Sequence, residues 1–314
     1  MLIIKVVAGL IFLTLGGCAG VSDIKDSSLE ATEDAKESKV GADADKVTEI
    51  SPEVLYLLMT AEIAGQRNQY GVALDGYLQA AKRVDDVRVA ERAAKIGLFL
   101  KDTKKTGEAV SLWLKQDGDN LTARKIAALS ALKGSDKALA VEHLNKLLTD
   151  DPAGFEGTLL EMTRLLGKEG KADFVFNVLE DVAKQHPEQA SVFFVQALLA
   201  GQLNKAGIVE EKANAALALQ PDWDKALILR AQISAQNGKL GEARADLEQV
   251  LEKNPENIKI RKMLAKVLMK ADALDEALEA YQKILKVASD DRESQFATAI
   301  IYLQQKRKRM RWFI

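Results

Sequence analysis

Apolar residues recur every three or four positions along most of the chain from residue 54 onward, with charged residues between them. This spacing places the apolar side chains on one face of a helix, so it predicts a succession of amphipathic α-helices. No stretch alternates β-branched and polar residues as a half-buried strand would. The pattern therefore predicts an all-α chain.

Four prolines mark a regular interval in this helical pattern. They follow successive helical segments at spacings of 35, 34 and 34 residues, at Pro152, Pro187, Pro221 and Pro255. Because a proline does not fit inside a helix, a fixed interval between prolines indicates a repeated structural unit. A period near 34 residues is the signature of tetratricopeptide repeats, a family that this chain resembles.

The resemblance is fullest in three units, over 54–87, 224–257 and 258–291. Their matching positions include Ala61, Ala73, Tyr77, Leu227, Ala231, Ala243, Leu264, Ala277 and Tyr281. Units 121–155, 156–189 and 190–223 match less fully, and the register of unit 88–120 is uncertain. The resemblance implies a right-handed α-solenoid over 51–305, made of about seven helix pairs and one partial repeat.

The first 17 residues have the layout of a secretory signal peptide. Lys5 precedes an apolar run from Val6 to Leu15, which is too short for a membrane span of about 20 residues. The end of this run, Leu15-Gly16-Gly17-Cys18, resembles the lipobox of bacterial lipoproteins. The resemblance implies that Cys18 is acylated and becomes the mature N-terminus. The alternative is an ordinary signal peptide in which Cys18 occurs by chance.

Ala19 follows Cys18, where retention in the inner membrane typically uses aspartate in the lipoprotein family. The resemblance therefore implies attachment to the outer membrane, facing the periplasm. Residues 19–50 contain nine acidic residues, four lysines and no aromatic residue. Such a composition favours disorder, because too little apolar surface is available to offset the entropy of ordering. We expect 18–50 to be a lipidated tether.

The repeat pattern breaks near the C-terminus. The last unit begins at Arg292 and supplies one helix, and residues 306–314 form a basic and aromatic tail outside the pattern. One interpretation places this tail on an anionic membrane surface. The other is that the gene is shortened or frame-shifted and that longer relatives carry more repeats.

Residues for catalysis or metal binding are sparse. His143 and His186 are the only histidines, and neither belongs to a metal-ligand motif. The sequence has no phosphate-binding glycine loop, no G-x-S-x-G motif and no cysteine besides Cys18. We therefore expect no enzymatic activity, no cofactor and no metal. The net charge of −2 argues against a general nucleic-acid binder.

The first helices of stacked helix pairs line a concave groove, the usual binding face of a solenoid. The repeat register places there a basic stripe, which consists of Lys259, Lys262, Lys266 and Lys270. Earlier units contribute Arg164, Lys168, Phe194 and Leu198. One interpretation of this pattern is capture of a partner segment that carries apolar anchors and acidic groups. The alternative is a lysine-rich face that is simply solvated.

The chain is therefore interpreted as an outer-membrane-anchored periplasmic adaptor or scaffold that binds an envelope protein. It resembles lipoproteins of Gram-negative bacteria that serve as adaptors, some of them for a periplasmic protease that trims cell-wall (peptidoglycan) enzymes. One alternative is a receptor for peptide or glycan fragments, although Trp113 and Trp223 fall at packing or turn positions. Another is a truncated, non-functional fragment of a longer protein.

Overall fold

Helices alone make up the regular structure of the part of the chain that the computed structural model describes, which is the backbone of residues 50–311 and the side chains of residues 50–306. These fifteen helices are α1 Pro52–Gln66, α2 Tyr70–Ala81, α3 Val87–Leu100, α4 Thr103–Gln116, α5 Leu121–Gly134, α6 Lys137–Asp150, α7 Pro152–Lys168, α8 Ala172–Gln185, α9 Ala190–Gln202, α10 Ala206–Leu219, α11 Asp224–Gln236, α12 Leu240–Lys253, α13 Ile258–Lys270, α14 Leu274–Val287 and α15 Arg292–Arg311. The all-α prediction is confirmed.

The N-terminal predictions concern a different part of the chain. The predicted signal peptide 1–17, Cys18 and all but the last residue of the predicted tether 18–50 lie outside the described residues. Within residues 50–311, no helix has the length and apolar character that a membrane crossing requires. The predicted end of the solenoid at residue 305 falls inside α15, which continues to Arg311.

The helices are arranged as successive pairs. Each odd-numbered helix packs against the even-numbered helix that follows it, and each pair packs against the next. Short polar side chains begin many of the helices by accepting a hydrogen bond from the first turn, as Ser51, Asp86, Asp102, Asn120, Asp136, Asp151 and Asn257 do. Seven pairs and a final single helix result among the described residues.

The fourth pair departs from the predicted boundaries. Its first helix, α7, begins at Pro152 rather than at residue 156, and a single residue, Asp151, separates it from α6. Proline suits this first helical position because its nitrogen has no hydrogen to leave unpaired. Pro152 is therefore the first residue of a helix. Within this fourth pair, α7 and α8 pack less closely than the two helices of any other pair.

A left-handed residue recurs in the turn inside each pair. Among the described residues, seven have positive φ: Asn68, Lys101, Ser135, Gly170, Asn204, Gly238 and Asp272. Most residue types resist this conformation, so its recurrence shows that every pair needs the same sharp reversal between its helices. These turns continue the period of about 34 residues into the N-terminal half, where the prolines do not mark it.

Most buried apolar residues in the described part of the chain belong to two clusters. The first extends from Val54 to Ala127, and the second extends from Ala128 to Ile301. The two meet in α5, where four of the seven buried residues are alanines. Because alanine has little surface to bury, α5 joins the two halves of the array with less apolar contact than larger side chains would give.

A buried ion pair fastens α11 to α12 within the second half. Asp246 is 4% exposed and accepts two hydrogen bonds from the Arg230 guanidinium, at 2.9 Å from Nε and 2.7 Å from Nη2. Nη1 of Arg230 also donates to Asn214 of α10 at 3.0 Å. One arginine therefore connects three consecutive helices.

Candidate functional site

The odd-numbered helices together line one face of the array, here called the odd-helix groove. Nζ of Lys225 in α11 lies 2.5 Å from Oε1 of Glu156 in α7, although α9 stands between these helices in the sequence of repeats. A contact across an intervening helix requires the odd-numbered helices to converge. The odd-helix groove is therefore concave in this region, as in other solenoids.

The basic stripe lies along α13, but acidic residues neutralise its central part. Nζ of Lys262 lies 2.5 Å from Asp291 and 3.2 Å from Glu293, and Lys266 lies 2.6 Å from Glu293. The hydrogen bond from Lys262 holds the pKa of Asp291 at about 2. The two central lysines thus stabilise the α13–α15 contact and offer little free charge.

The ends of the stripe are more accessible. Lys259 is exposed, and Lys270 is exposed with its ammonium group 3.5 Å from the carbonyl oxygen of Ala235. Arg164 and Lys168 are also exposed, on α7. These four side chains are the predicted groove cations that remain available for a ligand.

The predicted apolar anchors of the groove belong mostly to the core. Phe194 is only 5% exposed, and its ring centroid lies 4.7 Å from that of Trp223. The expectation of an exposed Phe194 is therefore wrong, because Trp223 at the start of α11 covers it. Leu198 is partly buried against the same core cluster. The predicted packing or turn positions of Trp113 and Trp223 agree with the structure, in which Trp113 is 2% exposed.

An aromatic pocket, absent from the sequence-based prediction, opens in the groove between α1, α2 and α3. Its volume is about 410 Å³, and the residues that define it here are Tyr70, Tyr77, Arg92, Lys95, Ile96 and Phe99. Tyr70 and Phe99 meet edge to face, with ring centroids 5.0 Å apart. Phe99 is nevertheless 67% exposed, so most of its ring is free to contact a ligand.

A polar network positions the charged side of the aromatic pocket. The Tyr77 hydroxyl donates to Oε2 of Glu62, and the Arg92 guanidinium lies 3.9 Å from the same carboxylate. The centre of the Arg92 guanidinium is also 5.9 Å from the Tyr77 ring centroid. Burial, followed by the hydrogen bond to Glu62, raises the pKa of Tyr77, so this phenol stays protonated near neutral pH.

The aromatic pocket can therefore receive an apolar or aromatic side chain beside a carboxylate. Phe99, Tyr70 and Ile96 supply apolar surface. Arg92 and Lys95 supply positive charge that is more than half exposed, and a ligand carboxylate would share it with Glu62 and with Glu91, whose carboxylate lies 2.5 Å from Nζ of Lys95. Arg92, Ile96 and Phe99 lie at helical spacing on one face of α3. That spacing is visible in the sequence, but the uncertain register of unit 88–120 left open whether this face of α3 lies in the core or in the groove.

Both histidines lie at structural positions, one in the core and one at a helix end. His143 is 7% exposed in α6, and burial lowers its pKa. His186 ends α8, with its Nδ1 3.5 Å from Glu188. Across the described part of the chain, no group of three or more His, Cys, Asp or Glu side chains is arranged to hold a metal ion.

Comparison with known proteins identifies repeats of one family. Residues 234–301 match the family model of the tetratricopeptide repeat. A TPR repeat-containing protein of Pseudomonas aeruginosa is 26% identical over 257 residues, which are 79% of this chain and 42% of that relative. The chain thus spans about two-fifths of the length of this curated relative.

Solved structures with similar helical folds have low sequence identity. The C-terminal part of a TPR repeat-containing protein from Cytophaga hutchinsonii is 14% identical with a TM-score of 0.45, covering 76% of this chain and 98% of that one. The pilF protein of Pseudomonas aeruginosa is 16% identical with a TM-score of 0.42, covering 74% of this chain and 99% of that one. Residues 234–301 therefore match the tetratricopeptide repeat, and they lie within an array of helix pairs whose sequence is similar to that of a TPR repeat-containing protein.

Proposed function

We propose that the chain is a scaffold that binds a segment of another protein in the odd-helix groove, without chemistry of its own. The observation that carries the proposal is the aromatic pocket, where Phe99 is 67% exposed beside Arg92 and Lys95. An exposed aromatic ring next to cations is a typical anchor for an apolar side chain that adjoins a carboxylate. The free groove cations, Lys259, Lys270, Arg164 and Lys168, would orient the rest of the segment.

The proposed location is the periplasmic face of the outer membrane, through a lipid on Cys18. What supports this is the sequence Leu15-Gly16-Gly17-Cys18 after a short apolar run. We expect Cys18→Ser to abolish incorporation of labelled palmitate and to move the protein from the membrane fraction to the soluble fraction. Palmitate labelling that persists in this variant would contradict the lipid attachment at Cys18.

The proposed partner is an envelope protein, and a periplasmic protease or a peptidoglycan enzyme would suit this location. Partner capture is tested by immobilising residues 18–314 and analysing the retained envelope proteins by quantitative mass spectrometry. We expect Phe99→Ser to reduce retention of the specific partner by at least about tenfold, since loss of a central aromatic anchor costs about 2 kcal/mol or more.

Val287→Ser is the matched control, because Val287 is 63% exposed at the end of α14, outside the aromatic pocket. This variant should retain the partner as the unchanged chain does. Circular dichroism must show the same helix content in all three proteins. A partner retained equally by the Phe99→Ser variant would exclude the aromatic pocket, and baits that share no envelope protein would contradict the scaffold proposal.

A receptor for peptide or glycan fragments is the second candidate. The Tyr70–Phe99 pair supports it, because exposed aromatic rings also contact the apolar faces of sugars. Calorimetric titration with soluble peptidoglycan fragments separates the candidates. Binding that is saturable and lost in Phe99→Ser favours the receptor, whereas no heat of binding alongside capture of an envelope protein favours the scaffold.

A further inference from the structure

Side chains link neighbouring even-numbered helices along most of the array. Five ion pairs illustrate this: Lys105–Asp75 joins α4 to α2, Lys137–Asp181 joins α6 to α8, Lys205–Asp173 joins the start of α10 to α8, Lys239–Glu210 joins the start of α12 to α10, and Arg244–Glu276 joins α12 to α14. No hydrogen bond or ion pair joins α4 to α6 among residues 50–306. The layer of even-numbered helices is therefore interrupted between α4 and α6.

A cleft of about 610 Å³ occupies this interruption, here called the α4–α6 cleft. Its floor is α5, through Ala127, Ser130, Ala131 and Gly134, and its walls are α4 and α6. The floor coincides with the place where the two core clusters meet. The cleft is thus a feature of the packing and lies on the even-numbered side, away from the odd-helix groove.

Short side chains on the α4 wall leave the cleft open. Ser111 directly follows the buried Val110, as Asn145 directly follows the buried Leu144 in α6. Asn145 reaches across to α8 and donates to Gln185 at 2.7 Å. Ser111 is too short for an equivalent contact with α6, and Gly107 beside it has no side chain. The surface facing the gap is consequently accessible.

The shape of the α4–α6 cleft selects the backbone of its occupant. The α5 residues that line it run from Arg124 to Gly134, about 15 Å of helix. Its walls and floor are helices whose backbone groups already bond internally. An extended segment placed there would bury unpaired N–H and C=O groups, whereas a helix satisfies its own.

The charges of the cleft select the side chains of its occupant. Lys104 and Lys115 line the α4 wall, are exposed, and form no ion pair with any described residue. Glu142 stands exposed on the α6 wall. Asp136 also lines the cleft, but its carboxylate caps α6 by accepting from the Leu139 amide. The guanidinium of Arg124 also lines the cleft, where it donates to the carbonyl oxygen of Gly118 and lies 3.4 Å from Nδ1 of His143. The unpaired charges of the walls therefore suit an occupant with carboxylates toward α4 and a cation toward Glu142 of α6.

The apolar residues between these charges complete the site. Leu139 of α6 is 40% exposed and Leu114 of α4 is partly exposed, whereas Val110 and Ala131, which also line the cleft, are buried. We propose that the α4–α6 cleft binds an amphipathic helix of another protein, with its apolar face on Leu114 and Leu139 and a row of carboxylates along α4. This site is separate from the aromatic pocket, so either can exist without the other.

Two helical peptides of about 15 residues test the proposal. Both are stapled, because an unconstrained helix of about this length is only marginally stable in water. Both carry a leucine stripe, and they differ in having glutamates or lysines along one edge. Fluorescence anisotropy with residues 18–314 should show that the glutamate peptide binds at least about tenfold more tightly. The double variant Lys104→Glu/Lys115→Glu should reverse this preference, a result that non-specific apolar binding would not produce.

A second pair of variants locates the peptide. Ser111→Trp fills the cleft and should weaken binding of the glutamate peptide by at least about tenfold. Ala218→Trp places the same ring at an exposed position of α10 and should leave binding unchanged, as should Phe99→Ser in the aromatic pocket. Circular dichroism verifies the fold of each variant.

The remaining outcomes overturn the proposal. Equal binding of the two peptides, no binding of either, or full binding by Ser111→Trp would each contradict it. Laurate is titrated as a separate probe. If laurate binds, neither peptide binds, and Ser111→Trp abolishes laurate binding, the cleft is a site for small organic anions. The proposal that it binds a helix is then wrong.

Discussion

Replacing Trp113 with alanine is expected to lower the free energy of unfolding by about 3–5 kcal/mol. Trp113 is 2% exposed and is among the largest fully buried side chains of the described residues. Its ring belongs to the first core cluster, which ends at Ala127. Truncation removes the transfer free energy of the indole and leaves a cavity that helices joined by short turns fill only in part. Urea unfolding followed by circular dichroism measures the loss.

We also expect the destabilisation to be confined to one part of the array. Because α5 joins the two clusters mainly through alanines, the instability caused by Trp113→Ala should remain N-terminal to α5. Hydrogen exchange detected by mass spectrometry should show lost protection in α1–α4 and little change in α9–α14. In a repeat array, stability is approximately a sum over repeats and their interfaces, so such a local response is expected.

Leu179→Ala is the matched control in the second cluster. Leu179 is fully buried in α8, and its truncation should cost about 2–5 kcal/mol. The exchange pattern should then be reversed, with the loss of protection concentrated after α5. If both variants lose protection evenly from α1 to α14, the two clusters unfold as one cooperative unit and the division at α5 has no energetic meaning.

Asp246→Ala is expected to lower the free energy of unfolding by about 3 kcal/mol. It removes a nearly buried carboxylate that accepts two hydrogen bonds from Arg230. The Arg230 side chain is 28% exposed, so water solvates part of the stranded guanidinium, and the cost falls at the lower end for broken buried pairs. Thermal and urea unfolding measure the effect.

The double variant Arg230→Met/Asp246→Leu separates two causes of this loss. Replacing both partners with apolar residues removes the ion pair without leaving a buried charge unpaired. We expect most of the stability lost in Asp246→Ala to return in this variant. A double variant as unstable as the single one would show that the pair itself, including its link to Asn214, is needed.

The helical architecture could be predicted from the sequence because its main determinants are local. Apolar spacing within about 14 residues predicts each helix, and Pro187, Pro221 and Pro255 mark the period between them. The period is less clear in unit 88–120, where no proline occurs. There the left-handed residue of the turn is Lys101, a residue type that gives no turn signal in a sequence.

The candidate site could be predicted only in part, because the free charge and the exposure of its side chains depend on contacts between repeats. Helical spacing places Lys262 and Lys266 on one face of α13, but their partners Asp291 and Glu293 follow at the next repeat boundary. Only the stacking of α15 beside α13 brings these charges together. For Phe194 the difficulty is different, because α9 is apolar on nearly every side and spacing alone does not separate core from groove.

The Lys225–Glu156 ion pair has a consequence for the kind of ligand that the odd-helix groove can accept. Because it spans from α7 to α11, a chain running along the groove must cross over this pair or displace it. Two short motifs joined by a flexible linker avoid that obstacle, one bound near α1–α3 and the other near α13. Tethering would give the second motif an effective concentration on the order of millimolar, so two weak contacts could yield a durable complex.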